Sequence, residues 1–128
     1  MIREDYVNFE IAKLLKDIGF DEPTLYHYCQ NNNFPTHTID YECIKNSEDA
    51  QFCSAPTIQM AMKYLRKVYN LHITTKPYIT TEGIMFVYEI YKLESDKFTL
   101  LKSKAGFKEP EEAVEAAIKY VLENLIKK

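Results

Sequence analysis

The chain has 128 residues, the length of one domain and enough to bury a self-sufficient core. Its net charge of −3 is far from the basicity of a dedicated nucleic-acid binder, and no apolar run nears the ~20 residues that span a bilayer. Cys29, Cys43 and Cys53 are odd in number and irregularly spaced, which argues against a secreted disulfide scaffold and fits reduced cytosolic thiols.

The first residues, MIREDYVNFE, are acidic almost at once and lack the apolar stretch of a signal peptide, so a cytoplasmic protein is expected. The charge is uneven. Residues 1–56 hold ten acidic and four basic side chains, whereas residues 57–128 hold nine and twelve. Ten tyrosines stand beside seven phenylalanines and no tryptophan. Tyrosine buries a ring and keeps a polar tip, so these residues belong at the rim of a thin core or on a binding face.

Residues 4–18 read as a first helix, with Val7, Ile11, Leu14, Leu15 and Ile18 on one stripe and Gly19 as its stop. Residues 20–54 read as an irregular covering segment with short extended pieces at Leu25–Cys29 and Thr38–Ile44. Gln30–Asn33 gives a loop signal, Ser47–Ala50 an irregular turn, and Phe34, Ile39, Tyr41, Ile44 and Phe52 are expected to lie on the core.

Residues 57–69 read as a second helix opened by Pro56 or Thr57. Ile58, Ala61, Met62, Leu65 and Val68 or Tyr69 form its buried stripe, and Asn70 suits a left-handed cap. The period then changes from 3.6 to two. Leu71–Ile79 and Ile84–Leu93 alternate as half-buried strands around the loop Thr80-Thr81-Glu82-Gly83, an antiparallel hairpin. Phe98–Leu101 adds a third strand after a turn at Glu94-Ser95-Asp96. Pro110 opens the last helix, whose apolar side runs through Ala113, Val114, Ala117, Ile118, Val121, Leu122 and Leu125. The expected fold is a single α+β domain over residues 1–128. Three main helices pack on a small antiparallel sheet of two to four strands, with the C-terminal part ordered helix–strand–strand–strand–helix.

Three chemistries have candidate residues. His27, Cys29, His37, Cys43 and Cys53 are thiols and imidazoles of the kind zinc takes, but no close cysteine pair seeds a site, and separate half-buried thiols are the plainer account of them. A cysteine nucleophile would need a histidine such as His72 brought near by the fold. Lys63, Arg66 and Lys67 share one face of the second helix, with Lys76 and Lys92 as further candidates for phosphate contact. The helix–three-strand–helix order is that of a double-stranded RNA-binding domain. However, Glu109, Glu111 and Glu112 stand where that family places lysines, and the strand loop is short and acidic.

Glu89 is the one acid inside a predicted strand, at a solvent-facing position. With only Gly19, Gly83 and Gly106 in the chain, a glycine-rich phosphate loop and a dinucleotide fingerprint are excluded, and no cofactor is expected.

SAPTIQMAMKYLRKVYNLHI, a tyrosine-bearing strand and EPEEAVEAAIKYVLENLI together resemble a set of small uncharacterised proteins of gut Bacteroidetes and their phages and mobile elements. The residues that carry the resemblance are Pro56, Thr57, Gln59, Ala61, Tyr64, Leu65, Arg66, His72, Ile73, Glu111, Glu112 and Ala113. Pro110 departs from that pattern, where tyrosine is usual, and Tyr64 stands where tryptophan is frequent. The resemblance implies a cytosolic accessory protein of a bacterium, phage or integrated element. The expected function is accordingly a non-enzymatic module that contacts a protein partner or a second copy of itself, and tyrosines are favoured at such contacts. The alternatives are weak, salt-dependent nucleic-acid binding by the second helix and cysteine or zinc chemistry in residues 27–53.

Overall fold

The computed structural model describes residues 5–29, 36–44 and 52–126, and for Leu25–His27, Cys29, Thr36–Ile44 and Phe52 it describes the backbone alone. The expected loop and turn at Gln30–Asn33 and Ser47–Ala50, and Phe34, lie outside these residues. So do the side chains of Ile39, Tyr41, Ile44 and Phe52. The fold is α+β, and the chain divides into two compact units, one ending at Thr57 and one covering Ile58–Ile126.

In the first unit, helix α1 runs Phe9–Asp17 and begins five residues later than the expected start at residue 4. Asn8 sets that start: its side-chain oxygen accepts the Ile11 N–H at 2.9 Å, which satisfies one of the free donors at a helix N-terminus. The chain before Asn8 is extended instead, with Tyr6 bridged to Thr57 and the Val7 N–H donating to the Pro56 carbonyl. At the other end Gly19 has φ +90°, the left-handed turn expected of it. Its N–H donates to the Lys16 carbonyl and the Phe20 N–H to the Leu15 carbonyl, the paired bonds of a Schellman motif that bury Phe20.

The stretch expected to be irregular forms strands β1 (Thr24–Cys29), β2 (Thr36–Ile44) and β3 (Phe52–Ser54), an antiparallel sheet in the order β2-β1-β3. Helix α1 packs on β3. Ile11, Ala12, Leu15, Phe20, Cys53 and Ala55 are buried.

The second unit has the predicted order: α2 (Ile58–Tyr69), β4 (Leu71–Thr80), β5 (Gly83–Leu93), β6 (Phe98–Phe107) and α3 (Pro110–Tyr120), which runs on into one π-helical turn at Val121–Leu125. The sheet is antiparallel, ordered β4-β5-β6. A two-residue loop, Thr81-Glu82, fixes the hairpin register from Thr80↔Gly83 to Leu71↔Lys92. Gly83 takes φ +120° there, and the Thr80 hydroxyl holds the turn by donating to the Gly83 carbonyl and accepting the Glu82 N–H.

Strand alternation then assigns the faces. Leu71 and Ile73 of β4 and Tyr88 and Ile90 of β5 are buried, together with Ile58, Ala61 and Leu65 of α2 and Ala113, Val114, Ala117 and Ile118 of α3. Both helices pack on this one sheet face.

Strand β6 is longer than expected, ten residues in place of four. Its second half, Lys102-Ser103-Lys104-Ala105-Gly106, has no apolar alternation, and the ladder skips Leu101 and Gly106 as bulges.

The end of α2 is set by Asn70, a non-glycine residue with φ +58°, whose N–H donates to the Arg66 carbonyl. A left-handed residue with a Cβ costs about 1–2 kcal/mol, which asparagine partly escapes through its local hydrogen bonding. Asn70→Ala is expected to destabilise the 58–126 unit by about 1 kcal/mol, whereas Asn70→Gly leaves it unchanged or slightly more stable. Urea unfolding of the two variants beside the parent checks this ordering.

Candidate functional site

The residues singled out for phosphate contact divide into three groups. Lys63, Arg66 and Lys67 are all exposed on α2 and share the expected helical face. Lys76 lies elsewhere, on the sheet face turned away from the helices, with its ammonium 2.8 Å from Glu89 Oε1. Lys92 lies on the helix-bearing face and donates from Nζ to the Tyr69 carbonyl at 3.0 Å, closing the C-terminal end of α2. The five do not form one basic patch. The helical trio stands apart from two lysines that already have protein partners.

Of the five zinc candidates, the side chains of His27, Cys29, His37 and Cys43 lie outside the described residues. The backbone register places His37, Tyr28 and Cys53 in one cross-strand row, with His27 and Cys29 in the rows on either side. Among the described residues no group of three or more His, Cys, Asp or Glu side chains is placed to hold a metal ion. Cys53 is fully buried, and burial pushes its thiol above the ordinary value, with Lys16 opposing that shift. A nucleophilic or metal-binding cysteine needs the opposite, a thiolate favoured by its surroundings. His72 is half-buried on β4 in the other unit.

The feature with the clearest chemistry is the open face of the β4-β5-β6 sheet. Alternation puts His72, Thr74, Lys76 and Tyr78 of β4 there, opposite Tyr91, Glu89, Val87 and Met85 of β5. Strand β6 adds Leu100 opposite Tyr91 and Phe98 opposite Leu93. None of these residues is fully buried. Phe98 is 69% exposed and Leu100 48%. The Tyr91 and Phe98 rings meet edge to face with centroids 5.4 Å apart, so the aromatic part of the face is ordered by its own contacts.

Glu89 occupies the middle of this face. Its side chain is 14% exposed, and it is held by Lys76 on one side and by the Tyr91 hydroxyl, which donates to Oε2 at 2.9 Å, on the other. The expected solvent-facing sheet position is therefore correct as to the face, but the carboxylate is enclosed by two partners. The bond from Lys76 and then that from Tyr91 hold its carboxyl below the ordinary glutamate value. The same contacts raise the Lys76 ammonium and the Tyr91 phenol above theirs, the bond to Glu89 being the main cause in each case. The charges cancel locally, leaving an apolar surface around a neutral, hydrogen-bonded centre.

Sequence reasoning singled out neither this surface nor the Lys76–Glu89 pair. The signal was present in the hairpin register: counting back from Thr80↔Gly83 puts Thr74 opposite Glu89 and Lys76 opposite Val87, diagonal neighbours on one face.

No helix among the described residues is long and apolar enough to cross a membrane. No protein-family model, curated protein or solved structure matches the chain.

A carboxyl whose folded-state value is depressed stabilises the fold above its unfolded value, about 4.3 for glutamate, and that contribution disappears as pH falls through the lower folded value. Glu89→Gln is thus expected to lose stability at neutral pH and to show a shallower decline in acid than the parent. Urea midpoints measured from pH 7 down to pH 3 report both. Parallel curves would mean that the Lys76–Glu89–Tyr91 contacts contribute nothing through charge.

Proposed function

We propose that the chain is a non-enzymatic interaction module, an accessory protein that docks a protein partner on the open face of its β4-β5-β6 sheet. The observation that carries this reading is the asymmetry of that sheet. One face carries α2 and α3 over Leu71, Ile73, Tyr88 and Ile90 and is exposed at its hairpin end, at Ile79 and Ile84, while the other has Phe98 and Leu100 exposed and Met85, Val87, Tyr91 and Leu93 half-buried, with no residue fully buried. Apolar side chains left exposed or half-exposed together on one face are a feature of contact sites, and tyrosine and phenylalanine are the side chains enriched at them. The neutralised centre at Glu89 suits docking as well, because an unpaired charge there would have to be desolvated by any partner. The partner is another protein or a second copy of the chain. The resemblance to proteins of Bacteroidetes and their mobile elements, and the odd, irregularly spaced cysteines, support a cytoplasmic setting in a bacterium, phage or integrated element.

A photo-crosslinking side chain at Leu100 or Val87 tests the assignment in cells of such a host. Adducts are expected from both positions and not from Glu123, which is exposed on the π-helical turn at the far end of α3. Leu100→Glu should abolish the adduct formed from Val87 while changing stability by less than about 0.5 kcal/mol, as surface substitutions do. A chain that is monomeric by light scattering and gives no adduct from either position removes the reading.

A second reading rests on α2. Lys63, Arg66 and Lys67 are exposed together, and no ion pair among the described residues involves them. Three such cations could neutralise three phosphates, which predicts a log–log salt slope of about −2.7 on duplex DNA. Fluorescence polarisation with duplex RNA, duplex DNA and single strands, starting at ~50 mM salt, measures it. Loss of binding in the Lys63→Glu/Arg66→Glu/Lys67→Glu variant is the expected companion result, and the absence of binding at the lowest salt sinks this second reading.

A further inference from the structure

The two edges of the β4-β5-β6 sheet are built differently. Strand β4 begins under the helices, with Leu71 and Ile73 buried, and carries Pro77, which has no N–H to offer. Strand β6 contains no proline and is exposed through most of its length, with only Lys102 and Phe107 half-buried. Its outer edge pairs with no other strand among the described residues, so alternate N–H and C=O groups along it face outward unpaired. The ladder to β5 skips Leu101 and Gly106, and these bulges bracket a regular stretch from Lys102 to Ala105.

The charge of this edge is of one sign. Strand β6 holds Lys102 and Lys104 and no acid, and Lys97 and Lys108 flank it. Lys97 is engaged by Glu94 at 3.6 Å, and Lys102 lies over the Tyr120 ring at 5.2 Å. Lys104 is exposed, and no ion pair among the described residues involves it. Lys102 and Lys104 are two residues apart on one side of the strand, opposite Ile90 and Tyr88. Ser103 and Ala105 are on the other side, continuous with the open face through Leu100 and Phe98.

Resting on the interaction-module reading, we infer that the Lys102–Ala105 edge accepts an added strand from its partner, an extended segment in which acidic and apolar residues alternate. Main-chain hydrogen bonds to the free edge would hold the segment. Acidic side chains at its i and i+2 positions would meet Lys102 and Lys104, and the apolar residues between them would widen the row begun by Tyr91 and Leu100. The same lysines reject a second copy, because antiparallel pairing centred on Ser103 sets Lys102 opposite Lys104 of the other chain, and like charges directly opposite are destabilising. The edge is thus closed to itself and open to a strand of opposite charge.

The test uses the full chain, isotope-labelled, and a capped peptide of alternating glutamate and valine. One control peptide has the same composition in two blocks, and another alternates lysine and valine. Backbone amide shifts are expected at Phe98–Phe107 with the alternating acidic peptide alone. Lys104→Glu should weaken its binding about tenfold, the combined effect of one lost attraction and one new repulsion. The Lys102→Glu/Lys104→Glu variant should take the lysine–valine peptide instead, a rescue that also shows the variant to be folded.

Equal binding of the blocked peptide, shifts at Lys63–Lys67 in place of β6, or an unchanged affinity in Lys104→Glu would each overturn the strand addition. A dimer formed by pairing two β6 strands would overturn it as well. Shifts confined to Val87 and Tyr91 with the β6 amides unmoved would also overturn it, and would leave the docking role of the open face standing.

Discussion

Strand β5 carries two opposite obligations in adjacent residues, and the 58–126 unit is arranged around them. Tyr88 and Ile90 point into the core beneath α2 and α3, where both are buried. Tyr88 packs by Phe107 with ring centroids 5.8 Å apart, and burial raises its phenol above the ordinary value. Glu89 stands between them, so alternation sends it to the other face. In the central strand of a three-stranded sheet a side chain there is walled by both neighbouring strands, and a half-enclosed carboxylate without partners is costly. Lys76 from β4 and Tyr91 from β5 itself meet that cost. The core on one side and the ion pair on the other are therefore fixed by a single register, and a slip of one residue would exchange them.

The end of α2 shows why a cluster of basic residues need not be a binding patch throughout. Asn70 reverses the chain, its carbonyl accepts the Leu93 N–H at 2.8 Å, and Lys92 reaches across to the Tyr69 carbonyl. Arg66 and Lys67 lie in the last turn, where cations complement the negative end of the helix dipole without any ligand. Local structure thus accounts for Lys92 fully and for Arg66 and Lys67 in part. Lys63, a turn further back, has no such role.

The second half of the fold could be read from the chain because its signals are local. The switch in period at Leu71, the glycine loop at residue 83, Asn70 at a left-handed position and Pro110 at a helix start each follow from one residue's conformational limits. The first half resisted for a matching reason. Strand β3 is three residues long and finds its partner, β1, more than twenty residues back, and only that pairing makes Phe52–Ser54 a strand. The start of α1 was misplaced because Val7 continues the apolar stripe, although it is buried as extended chain and not as helix. The capping oxygen of Asn8, one residue later, was the deciding signal.

Strand β6 hid its length because an edge strand is selected for lysines and bulges, which erase the alternation by which strands are recognised. The open face was obscured similarly: a residue's face follows from alternation, but whether that face is covered depends on which side both helices choose.

The tyrosine content finds its explanation in the same geometry. Each compact unit has few layers and a thin core, so many side chains must be apolar at one end and wet at the other. Tyr28 lies against Phe9 and donates its hydroxyl to the Val7 carbonyl at 2.9 Å, and Tyr64 and Tyr69 meet edge to face along α2. Tyr120 presents its ring to Lys102, and Tyr91 completes the Glu89 pair. These rings are spread over both units as rim residues, each with a polar or aromatic neighbour, and do not gather into one binding surface. What distinguishes the open face is therefore not tyrosine number. It is that Met85, Val87, Leu93, Phe98 and Leu100 lie beside Tyr78 and Tyr91 on the sheet face turned away from α2 and α3. A rim tyrosine is explained by the core that it edges. The half-exposed apolar row on the face turned away from α2 and α3 has no such account within the unit, and the docking proposal rests on that difference.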